Sequence, residues 1–160
     1  MIHTFSHPMH KLELRIPPVA IVLIVGVLMA LVAIVVPAGV EVPAKLLLSL
    51  SLVLSGAVVA LAGVVSFRRH KTTVNPFTPE RSSSLVASGI YRYSRNPMYL
   101  GFLLALLGWC VWLANWACAL LLPVFVMYMN RFQIQPEERA LEQHFGQQFL
   151  TYAQSVRRWL

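Results

Sequence analysis

Charge is scarce in this chain, and acid is scarcest. Of 160 residues only 12% are charged, with six Asp or Glu against 13 Lys and Arg. A soluble domain carries about 25% charged residues. With 58% hydrophobic residues, the chain lacks the polar surface needed to stay in water and reads as an integral membrane protein. Acid is also missing from the apolar runs, since Glu41 sits at a turn and the other five acidic residues lie outside them. That counts against a small proton-coupled exporter, which needs an acid within the membrane. Cysteine is limited to Cys110 and Cys118, both in an apolar stretch that has no histidine. They lack metal-ligand spacing and read as small core hydrophobes, so no metal is expected. The chain has no G-x-G-x-x-G after a strand, no P-loop, no H-E-x-x-H and no CxxC. Its basic residues lie beside apolar segments and not on a separate polar domain, which argues against nucleic-acid binding. The N-terminal segment lacks a signal-peptide pattern with a small-residue cleavage site, so the first apolar segment is expected to persist. His3, His7 and His10 recur there at irregular spacing and read as part of a tail.

What is present is organised by length. Pro17 and Pro18 open a first apolar run that continues to Val36, and a second runs from Ala44 to Phe67. Each meets the requirement of about 20 apolar residues for a spanning helix. The intervening P-A-G-V-E-V-P has room only for a turn, so the two should form an antiparallel hairpin. Gly56, Ala60 and Gly63 in the second run are small residues that let helices approach closely in lipid. A long polar connection follows, Arg68 to Arg95, whose Pro steps and serine run argue against regular structure. Asn96 and Pro97 are suited to cap and start a third helix. The stretch Met98 to Met129 predicts two short or tilted helices with a turn near Asn115, the second kinked at Pro123. Beyond it, Gln135 and Pro136 should start a new helix, with Glu137 and Glu138 favourably placed at its positive end. Gly146 should stop that helix, and Gln147 to Leu160 reads as a second amphipathic helix whose Arg157 and Arg158 suit anionic headgroups. Of the 13 basic residues only Lys45 lies at the connection between the first two helices. By the positive-inside rule the N-terminal segment, the central connection and the C-terminal segment face the cytoplasm, which requires an even number of spans.

Two polar clusters bracket the second apolar hairpin. One is G-I-Y-R-Y-S-R-N-P-M-Y-L-G, Gly89 to Gly101, and the other is Q-P-E-E-R-A-L-E-Q-H-F-G, Gln135 to Gly146. Charged and hydrogen-bonding groups are costly at a membrane entry point, so their concentration there marks a candidate site. The extended first element, L-V-A-S-G-I-Y-R-Y-S-R-N-P-M-Y-L-G from Leu85 to Gly101, resembles the signature of membrane isoprenylcysteine carboxyl methyltransferases and related phospholipid methyltransferases. E-E-R-A-L-E-Q-H-F-G, Glu137 to Gly146, resembles the same family's C-terminal signature. The resemblance covers roughly the last 90 residues.

The resemblance implies an S-adenosylmethionine-dependent methyltransferase whose methyl donor is bound by the C-terminal half at the cytosolic face. By resemblance, Ser83, Ser84, Leu85, Val86, Tyr91, Asn96, Pro97, Met98, Tyr99 and Glu137 contact the cofactor. Arg95 and Glu137 stand where cofactor and acceptor meet, and are the catalytic candidates. Gln133 occupies the position where the family often has a substrate-side arginine, with Arg131 two residues earlier as a substitute. Phe149 stands where tyrosine is frequent. The chemistry suits these residues: an acidic group for an ammonium or ribose, a helix start for an anionic group, and aromatic faces beside adenine. Methyl transfer from a sulfonium needs no protein nucleophile, and alignment alone can supply up to about 7–11 kcal/mol of the acceleration.

The expected architecture is thus an all-α polytopic membrane protein, a single domain with four transmembrane helices and a cytosolic C-terminal helical cap. Its N-terminal hairpin would cover 1–67 and its cofactor-binding part 68–160. Its partners are the lipid bilayer and a lipophilic small-molecule or lipidated acceptor, such as an isoprenylcysteine-type carboxylate. The alternatives are a membrane NAD(P)H-dependent reductase and a non-enzymatic four-helix transporter or structural protein.

Overall fold

The structure, a computed structural model, describes residues 13–69 and 85–160. Ser83 and Ser84 lie outside the described residues, as do the three N-terminal histidines. The regular elements among the described residues are helices: α1 (Pro18–Val35), α2 (Lys45–Arg69), α3 (Pro97–Leu113), α4 (Trp116–Ala119), α5 (Leu121–Met129), α6 (Gln135–Phe145) and α7 (Gln147–Ser155). A short 3₁₀ turn at Gly89–Arg92 precedes α3, and a π-helical turn at Asn130–Ile134 joins α5 to α6. Three helical stretches are long and apolar enough to cross a membrane: α1, α2 and the run Trp116–Phe145. The apolar α3 is shorter at 17 residues, about 25 Å at 1.5 Å per residue.

The last long run departs from expectation. Instead of a short helix followed by a fresh start at Gln135, the chain continues through the π turn without a break. Pro123 and Pro136 each remove one helical hydrogen bond. The first accompanies the interruption at Leu120 between α4 and α5, and the second follows the π turn. The expected turn near Asn115 is present. Ala114 takes the left-handed conformation at φ 49°, and the Asn115 side chain accepts from the Ala117 N–H at 3.0 Å to cap α4.

The two turns meet at one end of the bundle. Val40 N–H donates to the Ala114 carbonyl at 2.8 Å, Trp116 N–H donates to Ala38, and Asn115 Nδ2 donates to Val36. Pairing the α1–α2 turn with the α3–α4 turn brings the start of α1, the end of α2, the start of α3 and α6 together at the opposite end. Large apolar residues on α1 and α2 stay exposed, as with Ile34 at 80% and Leu47 at 69%, which is the surface a bilayer covers. The interior is filled by Met29, Phe125, Met129 and Ile134, with Cys118 fully buried as a core hydrophobe.

The seam between α2 and α3 rests on glycine. A β-carbon on Gly56 would lie 2.5 Å from the Gly101 carbonyl oxygen, and one on Gly108 would lie 2.9 Å from that of Ser49. Ser49 Oγ closes this seam by donating to the Gly108 carbonyl at 2.9 Å. Gly63 admits Met98 and Pro97 at the end nearest the polar clusters. The small-residue pattern read from the sequence is therefore a packing device.

Candidate functional site

Both polar clusters fall at the end opposite the turns, and the π turn organises one side of it. Pro136 has no N–H to give the Phe132 carbonyl four residues back, and that carbonyl instead accepts from Leu14 N–H at 3.0 Å. The segment before α1 is thereby tied to the last long helix. Glu13 strengthens the tie, because its buried carboxylate receives Arg131 at 2.8 Å and Arg139 at 2.5 Å. Burial works to raise the Glu13 pKa, but the two arginine hydrogen bonds outweigh it and hold the carboxyl below its ordinary value. Gln133, in the same turn, is fully buried and donates from Nε2 to the Ile16 carbonyl at 2.7 Å.

The opposite side is built by α3, α6 and the C-terminal segment. Tyr99, in the first turn of α3, donates its hydroxyl to Glu137 Oε1. One residue on, Glu138 gathers two arginines. Arg158 binds it in bidentate fashion, Nε to Oε1 at 3.0 Å and Nη2 to Oε2 at 2.6 Å, while Arg95 Nη2 lies 3.1 Å from Oε1. The hydrogen bonds to Glu138 push the Arg158 pKa up against the effect of burial. Arg95 thus faces Glu138, while Glu137, one residue earlier, is bound by Tyr99.

The C-terminal segment also differs from the expected continuous helix. α7 stops at Ser155 and β-branched Val156 turns extended, at φ −128° and ψ 132°. This lets Arg157 and Arg158 present their carbonyls to the start of α3. Arg95 N–H donates to the Arg157 carbonyl at 3.0 Å, and Asn96 Nδ2 donates to the Arg158 carbonyl at 2.9 Å. Asn96 holds the N-cap position but makes no side-chain cap. Arg158 is bound to Glu138 within the protein.

Gly89, at φ 62°, opens the 3₁₀ turn that buries Tyr91 against Phe67, with ring centroids 5.2 Å apart. Tyr152 on α7 donates to the Tyr91 carbonyl at 2.8 Å. Burial holds both phenols above their ordinary range, the Tyr152 shift being partly offset by Arg95, so both stay protonated donors at neutral pH. Val86 and Pro97 are buried beside them, while Leu85 and Met98 are half-buried.

The structure therefore brings Arg95, Asn96, Tyr99, Glu137, Glu138 and Arg158 to one end. It sets Arg131 and Gln133 beside the Glu13 segment instead. Glu138 as an arginine hub, Arg158 and Tyr152 were not predicted as site residues, and no local signal marks them because their partners lie 20 or 61 residues away. A cleft of about 400 Å³ opens at this end, with Arg95, Arg139, Arg158, Glu138 and Glu142 in its walls. Arg95 adds a buried Nε with no hydrogen-bond partner among the described residues.

A family model described as phospholipid methyltransferase matches residues 44–148. The chain is 35% identical over 107 residues to protein-S-isoprenylcysteine O-methyltransferase A of Arabidopsis thaliana, covering 67% of this chain and 54% of that protein. It is 33% identical over 73 residues to the Homo sapiens protein-S-isoprenylcysteine O-methyltransferase, covering 46% of this chain and 26% of that protein. An uncharacterized protein of Haemophilus influenzae is 48% identical over 63 residues, 39% of this chain and 100% of that protein. The chain spans about half the length of the plant methyltransferases it matches. No solved structure matches it.

Proposed function

The chain belongs to the phospholipid methyltransferase family, and from that premise we propose that it is an S-adenosylmethionine-dependent methyltransferase acting on a lipophilic acceptor reached through the membrane. The observation that carries this reading is the convergence of the start of α3 and the start of α6, both inside the matched residues. The residues suit the methyl donor. Arg95 holds a buried, unpartnered Nε among the described residues, and the first turn of α3 has no side-chain cap. The N–H groups of that turn and Arg95 would take the carboxylate. Glu137, with Tyr99 fixing one oxygen, would take the ammonium or a ribose hydroxyl. Leu85, Val86, Tyr91, Pro97 and Met98, joined by Ser83 and Ser84 from outside the described residues, complete the cofactor contacts in this reading. When bound, the cofactor supplies an electrophilic methyl group, and the protein's task is to orient the acceptor and exclude water.

The reading includes four crossings, with α3 as the fourth, and cytoplasmic N- and C-termini. Support comes from the two turns meeting at one end and from the concentration of basic residues in the other polar segments. Arg131 and Gln133 belong to the acceptor side. Neither a nicotinamide-dependent reductase nor a transporter draws support from the family match.

The test is calorimetric titration of the protein in lipid nanodiscs with S-adenosylmethionine and with its demethylated product. Saturable binding of both is expected. Absence of binding across several lipid compositions would overturn the reading.

A further inference from the structure

Gln133 has a feature that its packing does not satisfy. Its side chain is fully buried, and its Nε2 donates to the Ile16 carbonyl at 2.7 Å. Its Oε1, equally buried, has no hydrogen-bond partner among the described residues. The amide orientation is not arbitrary, since a flip would aim the oxygen at the Ile16 carbonyl oxygen and lose the one bond it makes. The acceptor is therefore pinned facing away from Ile16, and a buried carbonyl left unpaired is unfavourable.

The surroundings show that this position is built. Gln133 sits in the π turn Asn130–Ile134, an irregularity frequent at functional sites. It lies one turn before Glu137, whose carboxylate is bound by Tyr99, so the two project from neighbouring parts of one helix. The cover over it is the Glu13–Ile16 segment, held by polar bonds: Glu13 to Arg131 and Arg139, Leu14 N–H to Phe132, and the Gln133 amide to Ile16.

Resting on the methyltransferase reading, we infer that Gln133 Oε1 selects the head group of the lipophilic acceptor, taking one that carries an O–H or N–H donor and disfavouring a free carboxylate. A hydroxyl or amine head satisfies the oxygen. A carboxylate brings only lone pairs and a charge to a buried oxygen. Arg131 and Arg139 already bind Glu13, and Arg15 in the covering segment is exposed at the surface, away from the buried oxygen.

The test uses three ligands with one saturated chain, decanol, decylamine and decanoate, titrated into nanodisc-embedded protein with empty nanodiscs subtracted. Binding of the alcohol and the amine is expected to exceed that of the carboxylate by about tenfold in the wild type, equivalent to about 1.4 kcal/mol. Gln133→Met, similar in shape but without the oxygen, should level the three. A wild-type preference for decanoate, or a ranking unchanged in Gln133→Met, would overturn the inference. If the variant does not fold, the wild-type ranking decides alone. Because the ranking is read by binding without the methyl donor, it is separable from the cofactor titration. Failed donor binding sinks the methyltransferase reading, whereas a carboxylate preference sinks only the role of Gln133.

Discussion

Along the α2–α3 seam, backbone meets backbone. Gly56 faces Gly101, and Gly108 faces Ser49, so closely that a single β-carbon would collide with a carbonyl. At the polar end the joints are side chains crossing as many as 126 positions of sequence, as from Arg139 to Glu13. The contrast follows from the surroundings of each region. In lipid there is little hydrophobic drive for one apolar helix to join another, so association depends on close approach through small residues. Near water, charged pairs can form, and their value depends on how completely each partner is buried. The seam should therefore respond to volume, and the polar end to charge and pH.

The largest effect is expected at the seam. Gly56→Leu should cost about 3 kcal/mol or more, at the upper end of overpacking changes, because the group it meets is the Gly101 backbone and cannot swing aside. Gly26→Ala is the control, since a β-carbon there meets nothing within 4 Å. It should be neutral or slightly stabilising. Unfolding in mixed micelles measures both, and equal losses would break the contrast.

Glu138→Gln comes next. It leaves Arg95, whose side chain is only 14% exposed, without its anion. Loss of a fully buried partner costs about 3–5 kcal/mol, and partial exposure reduces the expectation here to about 1–3 kcal/mol. Glu137→Gln should behave differently, because an amide oxygen still accepts from Tyr99. Stability should hold while methyl-donor affinity falls by about 1–3 kcal/mol. Thermal unfolding beside calorimetric affinity separates the two glutamates, and matched profiles would remove Glu137 from the site.

A third test uses pH. The Glu13 carboxyl is held below its ordinary value of 4.5 in the folded protein, so its contribution is present above that value. It is lost as pH falls through the lower folded value. The stability gap between wild type and Glu13→Gln should be constant near neutrality and should close on acidification below about 4.5. A gap that persists at low pH would mean that shape, not charge, holds the N-terminal segment.

Much of this was legible in the sequence. Apolar run lengths, the small residues at Gly56 and Gly63, the turn at Asn115 and the break at Gly146 are local signals, and each appears in the fold. The family elements from Leu85 to Gly101 and Glu137 to Gly146 also meet at one end. Three features were hidden. The π turn arises from Pro136 together with a carbonyl that Leu14 satisfies from more than a hundred residues away. The non-helical Val156–Leu160 segment looked like more amphipathic helix, because only tertiary contacts with Arg95, Asn96 and Glu138 favour leaving it. Glu138 resembled an ordinary first-turn acid, and no spacing rule pairs it with Arg95 and Arg158.

Asn96 gives the smallest expected effect and the sharpest distinction. From sequence it is a helix cap, and Asn and Asp cap about equally well, so Asn96→Asp would be silent. In the structure its Nδ2 donates to the Arg158 carbonyl and its side chain caps nothing. Aspartate would lose that donor and set a carboxylate against a carbonyl oxygen. The expected loss is about 1 kcal/mol, the typical net worth of such a hydrogen bond. The C-terminal segment should loosen with it, visible as faster amide exchange at Arg95, whose N–H is bound to the adjacent Arg157 carbonyl. Methyl-donor affinity should fall by more than the stability does, since the new charge stands beside the α3 start proposed to receive a carboxylate. Unchanged stability would return Asn96 to the role of a cap, and a stability loss with unchanged affinity would leave it as a tie for the C-terminal segment outside the cofactor site.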